Sequence, residues 1–478
     1  MRYPYDMWAH LIAIDNPYDY TTIPEARELW HLIWRNLFNF IGILSSDILL
    51  RAKIIHIVQS LISFGAVYLF SLVVIRNIYV KSAKLHHKYM AYWSTVIWFT
   101  IFATFSMYYH HIWIMWYSIS YQITLPLFWY ITALTIIIYL ENPVLKLKIF
   151  YMVQILILSL FIIQIHSMEY IYYILYIITL SLIFFNKTLY IIKKYFYILL
   201  PLLILIILFS KSYQAEDTRL LDFIYHAQFI DLYHLILHEG NIVINSLNRA
   251  NSAINELMYV ILFFTLLLLI SLRNNYIHTD KKVLIFLSIT SLFILIPIFS
   301  FSAGLSALLT KINVIHRVYY SSSLFILLSV SVYYLTSYLA SKPKNHLYIF
   351  NISIISILLS VILYSKHISS SHNYYKNILS LKESIKGDKV RFNLSSSEIE
   401  IIGKELKLYK KKYHNSLFYA RADILVVLKY IYKENVYWRG RRATPSLEEF
   451  GKYCKINAIK ECIIFKTPKN FPEYKPYW

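Results

Sequence analysis

Small, helix-breaking and sulfur-bearing residues are scarce in this chain, whose 478 residues include 8 glycines, 12 prolines and 2 cysteines. So few glycines exclude close helix packing through small residues as a general rule, leaving aromatic anchoring as the alternative. Two cysteines, Cys454 and Cys462, exclude a four-thiolate metal site and a disulfide framework; they leave room for one bridge. Charge is scarce too, at 15% of residues. What remains is apolar. The chain is 58% hydrophobic, with 45 Tyr and 29 Phe, more than one soluble core can hide, so the excess must meet lipid. A net charge of +21 would suggest nucleic acid for a soluble protein. Here Lys and Arg cluster beside apolar runs and in the last quarter, so topology and membrane lipids account for them, and no nucleic-acid partner is expected.

Apolar runs of spanning length lie near 52–79, 89–108, 120–140, 149–165, 169–186, 195–210, 255–272, 283–303, 318–340 and 347–365. They predict an α-helical polytopic membrane protein of about ten spans. His166-Ser167-Met168-Glu169 reads as a turn between the fourth and fifth. The chain divides into an extracytoplasmic loop with an amphipathic helix (1–51), a multi-span region (52–366) and a small soluble α/β domain (367–478).

Orientation follows from Lys and Arg in short loops. Arg76, Lys81, Lys84 and Lys88 follow the first span, Lys146 and Lys148 the third, Lys187, Lys193 and Lys194 the fifth, Arg273, Lys281 and Lys282 the seventh, and Lys342 and Lys344 the ninth. The intervening loops are uncharged or acid-balanced. Both ends are therefore expected outside a cell membrane, a bacterial inner membrane being the natural setting. The tail is basic, but long domains translocate largely regardless of charge. An outside start with no cleavable signal peptide leads to the expectation of a further transmembrane helix ahead of Met1 in the complete protein.

Pro24 to Leu37 places acids in the first turn and Leu29, Trp30, Ile33, Trp34 and Leu37 at three-four spacing, predicting an amphipathic helix on the membrane surface. In the tail, Val390–Leu394 and Cys462–Lys466 read as strands, Val436–Trp438 as extended, and Ser397–Lys412, Ala422–Lys433 and Ser446–Lys455 as helices.

Several positions could carry chemistry. Asp6, with His10 four residues on and then Asp15, offers carboxylates on a loop near the bilayer. Such a group can act as general base on a sugar hydroxyl or help hold a divalent cation; it can equally solvate a loop. His110 and His111 end the second span beside Trp113 and Trp116, as substrate contacts or as an interfacial belt. His166 and Glu169 share a face if their segment is helical. Arg317 can grip a phosphate through its guanidinium or snorkel at a helix end. His234 and His238 lie in a loop, 210–254, that reads as solvated and amphipathic. In the tail, Trp438 and Arg439, with Tyr437, Arg441 and Arg442, form a basic-aromatic cluster suited to sugars, phosphates or anionic headgroups.

An acidic residue in a first extracytoplasmic loop, a surface helix, many spans and an extracytoplasmic tail together make the chain resemble the GT-C superfamily of membrane glycosyltransferases. The resemblance covers nearly the whole chain as architecture. It implies a polyprenyl-phosphate-linked sugar donor, a glycan, glycolipid or protein acceptor, transfer on the outer face, and Asp6 as catalytic carboxylate. No adjacent Asp-Asp or Asp-Glu pair follows the first span, which leaves cation dependence open. Two other readings stand beside it: a polymerase or ligase of surface polysaccharide, and a transporter or scaffold. The long folded tail argues against the former, and the absence of repeating Gly/Pro breaks against the latter.

Overall fold

A computed structural model describes residues 14, 28–44, 48–79, 84–102, 121–194, 229–271, 280–309, 318–339, 343–367 and 396–411, and within the tail 413, 416–421, 424, 425, 427, 428, 432, 434–437, 447–456, 459 and 461–467. The chain forms two compact units, one of Met1–Ile57, Met115–Ile119 and Leu379–Trp478, the other of Val58–Ile114 and Ser120–Ile378. Most described residues are helical, and one small sheet lies in the tail.

In the first unit, α1 (Glu28–Phe40) is the expected amphipathic helix, with its apolar arc divided. Trp30, His31, Trp34 and Phe38 are buried, while Ile33, Leu37, Phe40 and Ile41 are exposed. Half of the predicted surface-facing stripe therefore serves a protein core, because the large rings remove the most area from water there. Gly42 (φ 73°) ends the helix: Ile43 N donates to Phe38 O and Gly42 N to Asn39 O, satisfying carbonyls that the last turn leaves open.

The helical unit contains most of α2 (Ile48–Ile78), then α3 (Lys84–Ile97) with a π turn to Phe102, α4 (Tyr121–Ile136) with a π turn to Glu141, and α5 (Leu145–Ile183). Asn142, left-handed at φ 48°, and Pro143 separate α4 from α5. There follow α6 (Phe229–Ser271), α7 (Lys281–Ser291) running into a 3₁₀ turn Leu292–Leu295, α8 (Ser300–Leu309), α9 (Val318–Ser321), α10 (Leu324–Leu339) and α11 (Pro343–His367). Among the described residues three helices are long and apolar enough to cross a membrane, Lys53–Ile78, Ile123–Glu141 and Leu145–Ile165. A fourth results if Glu169–Ile183 and Phe185–Lys194, bent by 106°, count as one. Tyr259–Ile270, Leu324–Leu339 and His346–Ser360 are shorter apolar helices within three further expected spans. The expected span at 195–210 lies outside the described residues.

Three sequence expectations need correction here. His166-Ser167-Met168-Glu169 is helical, inside the 39-residue α5, because no Gly or Pro interrupts that polar stretch. The second half of the loop expected at 210–254 is helix as well, since α6 begins at Phe229 and runs on into the apolar segment. The segment 283–303 is not one helix but breaks around Pro297 into α7 and α8.

Glycine matters most at one crossing. A Cβ on Gly240 would meet Ser300 O at 1.7 Å, and one on Gly304 would meet Ile236 O at 1.7 Å, so α6 and α8 approach backbone to backbone. Beside it Ser300 Oγ donates to Asn241 Oδ1 at 2.7 Å.

The ends that carry the basic loops meet one another. Asp280 N donates to Ile78 O at 3.0 Å and the Asp280 carboxylate caps α7, accepting from Lys282 N at 2.8 Å. Arg76 forks onto Glu141, with Nε to Oε1 at 2.6 Å, and Asn77 joins them. Tyr139 bonds Thr188, while Lys282 Nζ stands 5.6 Å from the Phe184 ring centre. Tyr79 packs on Tyr333 and Tyr334 near the end of α10. His86 Nδ1 bonds Tyr333 Oη at 2.6 Å, and His346 at the start of α11 reaches Tyr333 O at 3.1 Å. One continuous set of contacts thus ties together the chain ends that flank all five basic loops.

The tail contains α12 (Ser396–Lys410), β1 (Leu417–Tyr419), β2 (Asn435–Val436), α13 (Leu447–Ile456) and β3 (Cys462–Ile464). The strands are all parallel in the order β2-β1-β3, with Phe418 opposite Val436 on one side and Ile463 on the other. β1 was not foreseen, being only three residues long. Residues 390–394, read as a strand, lie outside the described residues. Phe418, Ile463 and Phe465 are buried with Ile402 and Leu406 of α12. Cys454 and Cys462 form a disulfide joining α13 to β3, beside Tyr437 and Phe450.

Candidate functional site

Of the side chains singled out in sequence, Glu169, His234, His238 and Tyr437 are placed: Glu169 and Tyr437 are buried, and His234 and His238 are exposed on α6. Asp6, His10, Asp15, His110, His111, Arg317, Trp438 and Arg439 lie outside the described residues. His166 has a helical backbone, as its pairing with Glu169 requires, and its side chain is likewise outside the description.

Glu169 is 1% exposed. It begins a stripe of α5 that continues at three- and four-residue spacing through Tyr172, Tyr173 and Tyr176, all buried. Carboxylates on apolar helices are expensive and commonly mark function. Along the same stripe Tyr173 Oη shares a hydrogen bond with Thr135 Oγ1 of α4 at 2.8 Å. Thr132, Thr135, Tyr173, Tyr176 and Phe286 line a small crevice there.

Tyr176 leads to a buried polar cluster where two helices are interrupted. α7 gives way to its 3₁₀ turn after Ser291, and α9 is separated from α10 at Ser322 and Ser323. Buried backbone released from helical pairing needs partners from within the protein. Hydroxyls supply them: Tyr176 Oη donates to Ser321 O at 2.8 Å and Ser322 Oγ to Ser291 O at 3.1 Å. Ser323 Oγ lies 2.5 Å from Thr290 Oγ1 and 3.2 Å from Leu287 O. Ser322 Oγ also accepts from Leu324 N, capping α10. All five Ser and Thr residues are buried. The cluster is neutral and its donors are matched to acceptors. It can hold two helix breaks in register and offer oxygen atoms to a small polar ligand.

The aromatic-histidine cluster of His86, His87, His346, Tyr79 and Tyr333 is a second convergence that sequence reasoning missed. Burial is the main influence on His87 and lowers its pKa; the backbone at Tyr79 acts the other way, and nearby His86 and Arg76 reinforce the lowering. Adjacent His86 and His87 were a visible signal, but their partner His346 is 259 residues from His87 in the numbering. The Ser321-Ser322-Ser323 run was equally visible, and nothing local pointed to Thr290. Among the described residues no group of three or more His, Cys, Asp or Glu side chains is placed to hold a metal ion.

Compared with known proteins, the chain matches no family model, no curated protein and no solved structure.

Proposed function

We propose that this protein is an integral membrane glycosyltransferase that moves a sugar from a polyprenyl-phosphate-linked donor to a glycan, glycolipid or protein acceptor on the extracytoplasmic face. The observation that carries the reading is the Cys454–Cys462 bridge in a folded α/β tail attached to a span-bearing chain. Thiols of cytosolic proteins stay reduced, so a bridged tail fits the oxidising side of the membrane. The gathering of all five basic loops at one end of the helical unit supports the same orientation. On this reading the donor sugar is carried on lipid, and Asp6, expected on the same side, is the proposed general base. Arg317 is the proposed phosphate grip, and Trp438 with Arg439 contacts the acceptor.

Replacing Asp6 with Asn tests it. Surface glycans should change while protein level and membrane insertion stay normal; unchanged glycans at normal protein level would overturn the role of Asp6.

One observation favours a second reading, a transporter. Two interrupted helices facing one another across buried hydroxyls, as α7 and α9–α10 do, are a common way to build a substrate site inside a bundle. Uptake or release of a labelled polar solute by reconstituted vesicles, lost on Ser323→Val, would favour it over sugar transfer.

A further inference from the structure

The basic loop expected at Lys187–Lys194 is helical. Phe185–Lys194 stands at 106° to the apolar helix Glu169–Ile183 that leads into it. If Glu169–Ile183 crosses the bilayer, its continuation lies close to the membrane plane. The bend is built into the fold: Lys187 N donates to Phe184 O at 2.9 Å, Thr188 Oγ1 donates to Ser181 O at 3.0 Å, and the Tyr139 hydroxyl of the π turn after α4 bonds that of Thr188. By helical periodicity Phe185, Leu189 and Ile192 fall on one side of this helix, and Lys187, Tyr190 and Lys194 on the other. The protein leaves the apolar side uncovered, with Phe185 56% exposed, Leu189 39% and Ile192 43%. On the opposite side Lys194 Nζ lies 5.6 Å from the Tyr190 ring centre. An exposed apolar stripe backed by lysines is the pattern of a helix seated in a membrane interface.

Charge at the bend points the same way. α5 is bent back on itself, since Gln154 and Tyr173 both bond to α4, at Tyr130 and Thr135, so its two ends reach the same side. Lys148, in the first turn of α5, donates to Asn142 Oδ1 at 3.1 Å and is near enough to Lys187 for the two charges to repel. Lys282, in the first turn of α7, stands over the Phe184 ring at 5.6 Å. Three elements thus bring three cations to one bend. The carboxylates of the neighbouring loops are engaged, Glu141 by Arg76 and Asp280 by the backbone of α7. The sequence holds no acid between Glu169 and Glu216. α5 also begins without an acid in its first turn and without a side-chain cap, so the positive end of its dipole adds to the lysines. An anion relieves this excess, and beside an interfacial helix the anion at hand is a lipid headgroup.

We propose that helix Phe185–Lys194 lies in the membrane interface with Phe185, Leu189 and Ile192 toward the acyl chains, and that Lys187, Lys148 and Lys282 at its start bind the headgroup of an anionic phospholipid. This shares with the glycosyltransferase reading only a chain that spans the membrane. It stands or falls on lipid binding, whereas that reading stands or falls on glycans.

The test uses the full-length protein in nanodiscs of mixed phosphatidylglycerol and phosphatidylcholine. Native mass spectrometry after release should find phosphatidylglycerol retained in preference to phosphatidylcholine. Lys187→Gln, Lys148→Gln and Lys282→Gln should each lower that preference about fivefold, and Lys187→Arg should keep it. Lys146→Gln removes the same charge from the same end of α5, but positions two apart do not share a helix face, so it should change nothing. Equal retention of the two lipids by the wild type, or the same loss in Lys146→Gln as in Lys148→Gln, overturns the headgroup site. Spin labels test the seating independently, because both native cysteines are bridged. A label at Leu189→Cys should be accessible to oxygen, which partitions into the bilayer, and one at Lys194→Cys to a water-soluble nickel chelate. Nickel reaching both equally overturns the interfacial helix. An unchanged melting temperature establishes that each variant is folded, and where Lys187→Gln melts early, Lys282→Gln decides.

Discussion

Gly304 shows how a single residue can decide the packing of two helices. Its missing Cβ leaves room for Ile236 O, and that carbonyl belongs to backbone, which cannot swing aside as a side chain would. Gly304→Val should therefore force α8 from α6 and lower thermal stability in detergent by at least about 1–3 kcal/mol; an unchanged melting temperature would mean that the crossing is looser than described. His87 makes a prediction about pH. Burial holds its folded pKa below the ordinary 6.5, so below that pH the unfolded chain binds the proton more readily than the folded one. The unfolded state then carries more protons, and stability falls as pH drops from about 6.5 toward the folded value. A melting-temperature series from pH 7.5 to about 5 should show this decline, shallower in His87→Gln; equal slopes in the two proteins would remove His87 as its source.

At the scale of elements, the disulfide closes a short loop between α13 and β3, with the two cysteines 8 positions apart. Cys454→Ser should cost the tail roughly 2 to 3 kcal/mol on the loop-entropy account, seen as earlier tail unfolding by hydrogen exchange; identical exchange would show that the aromatic cluster of Tyr437, Tyr453 and Phe450 carries that region alone. The type of most elements was legible from periodicity and capping. The helices α1, α12 and α13 and the strand β3 fall where spacing placed them, because apolar residues recur at the period of the structure that buries them. Boundaries and breaks were not equally legible. His166 to Glu169 looks polar enough for a turn, yet polar residues that tolerate helical backbone continue the helix. Pro297 lies within an apolar run, and the run concealed the break.

For the whole molecule, the convergence of basic loop ends makes a topological statement that can be measured. Impermeant thiol reagent applied to intact cells after mild reduction should label Cys454 and Cys462, and a cysteine placed at Lys282 should react only after lysis. Protection of the tail cysteines in intact but not lysed cells would reverse the orientation. Hydropathy is a property of composition, so the sequence by itself determined that apolar helices predominate and that some are long enough to cross a membrane. Contacts between distant residues are set by how helices cross and strands order, which no local pattern encodes. Only the tertiary structure therefore decided that Ser321–Ser323 meets Thr290 and Ser291, that Glu169 heads a buried tyrosine stripe, and that β1 lies between β2 and β3 in a parallel sheet.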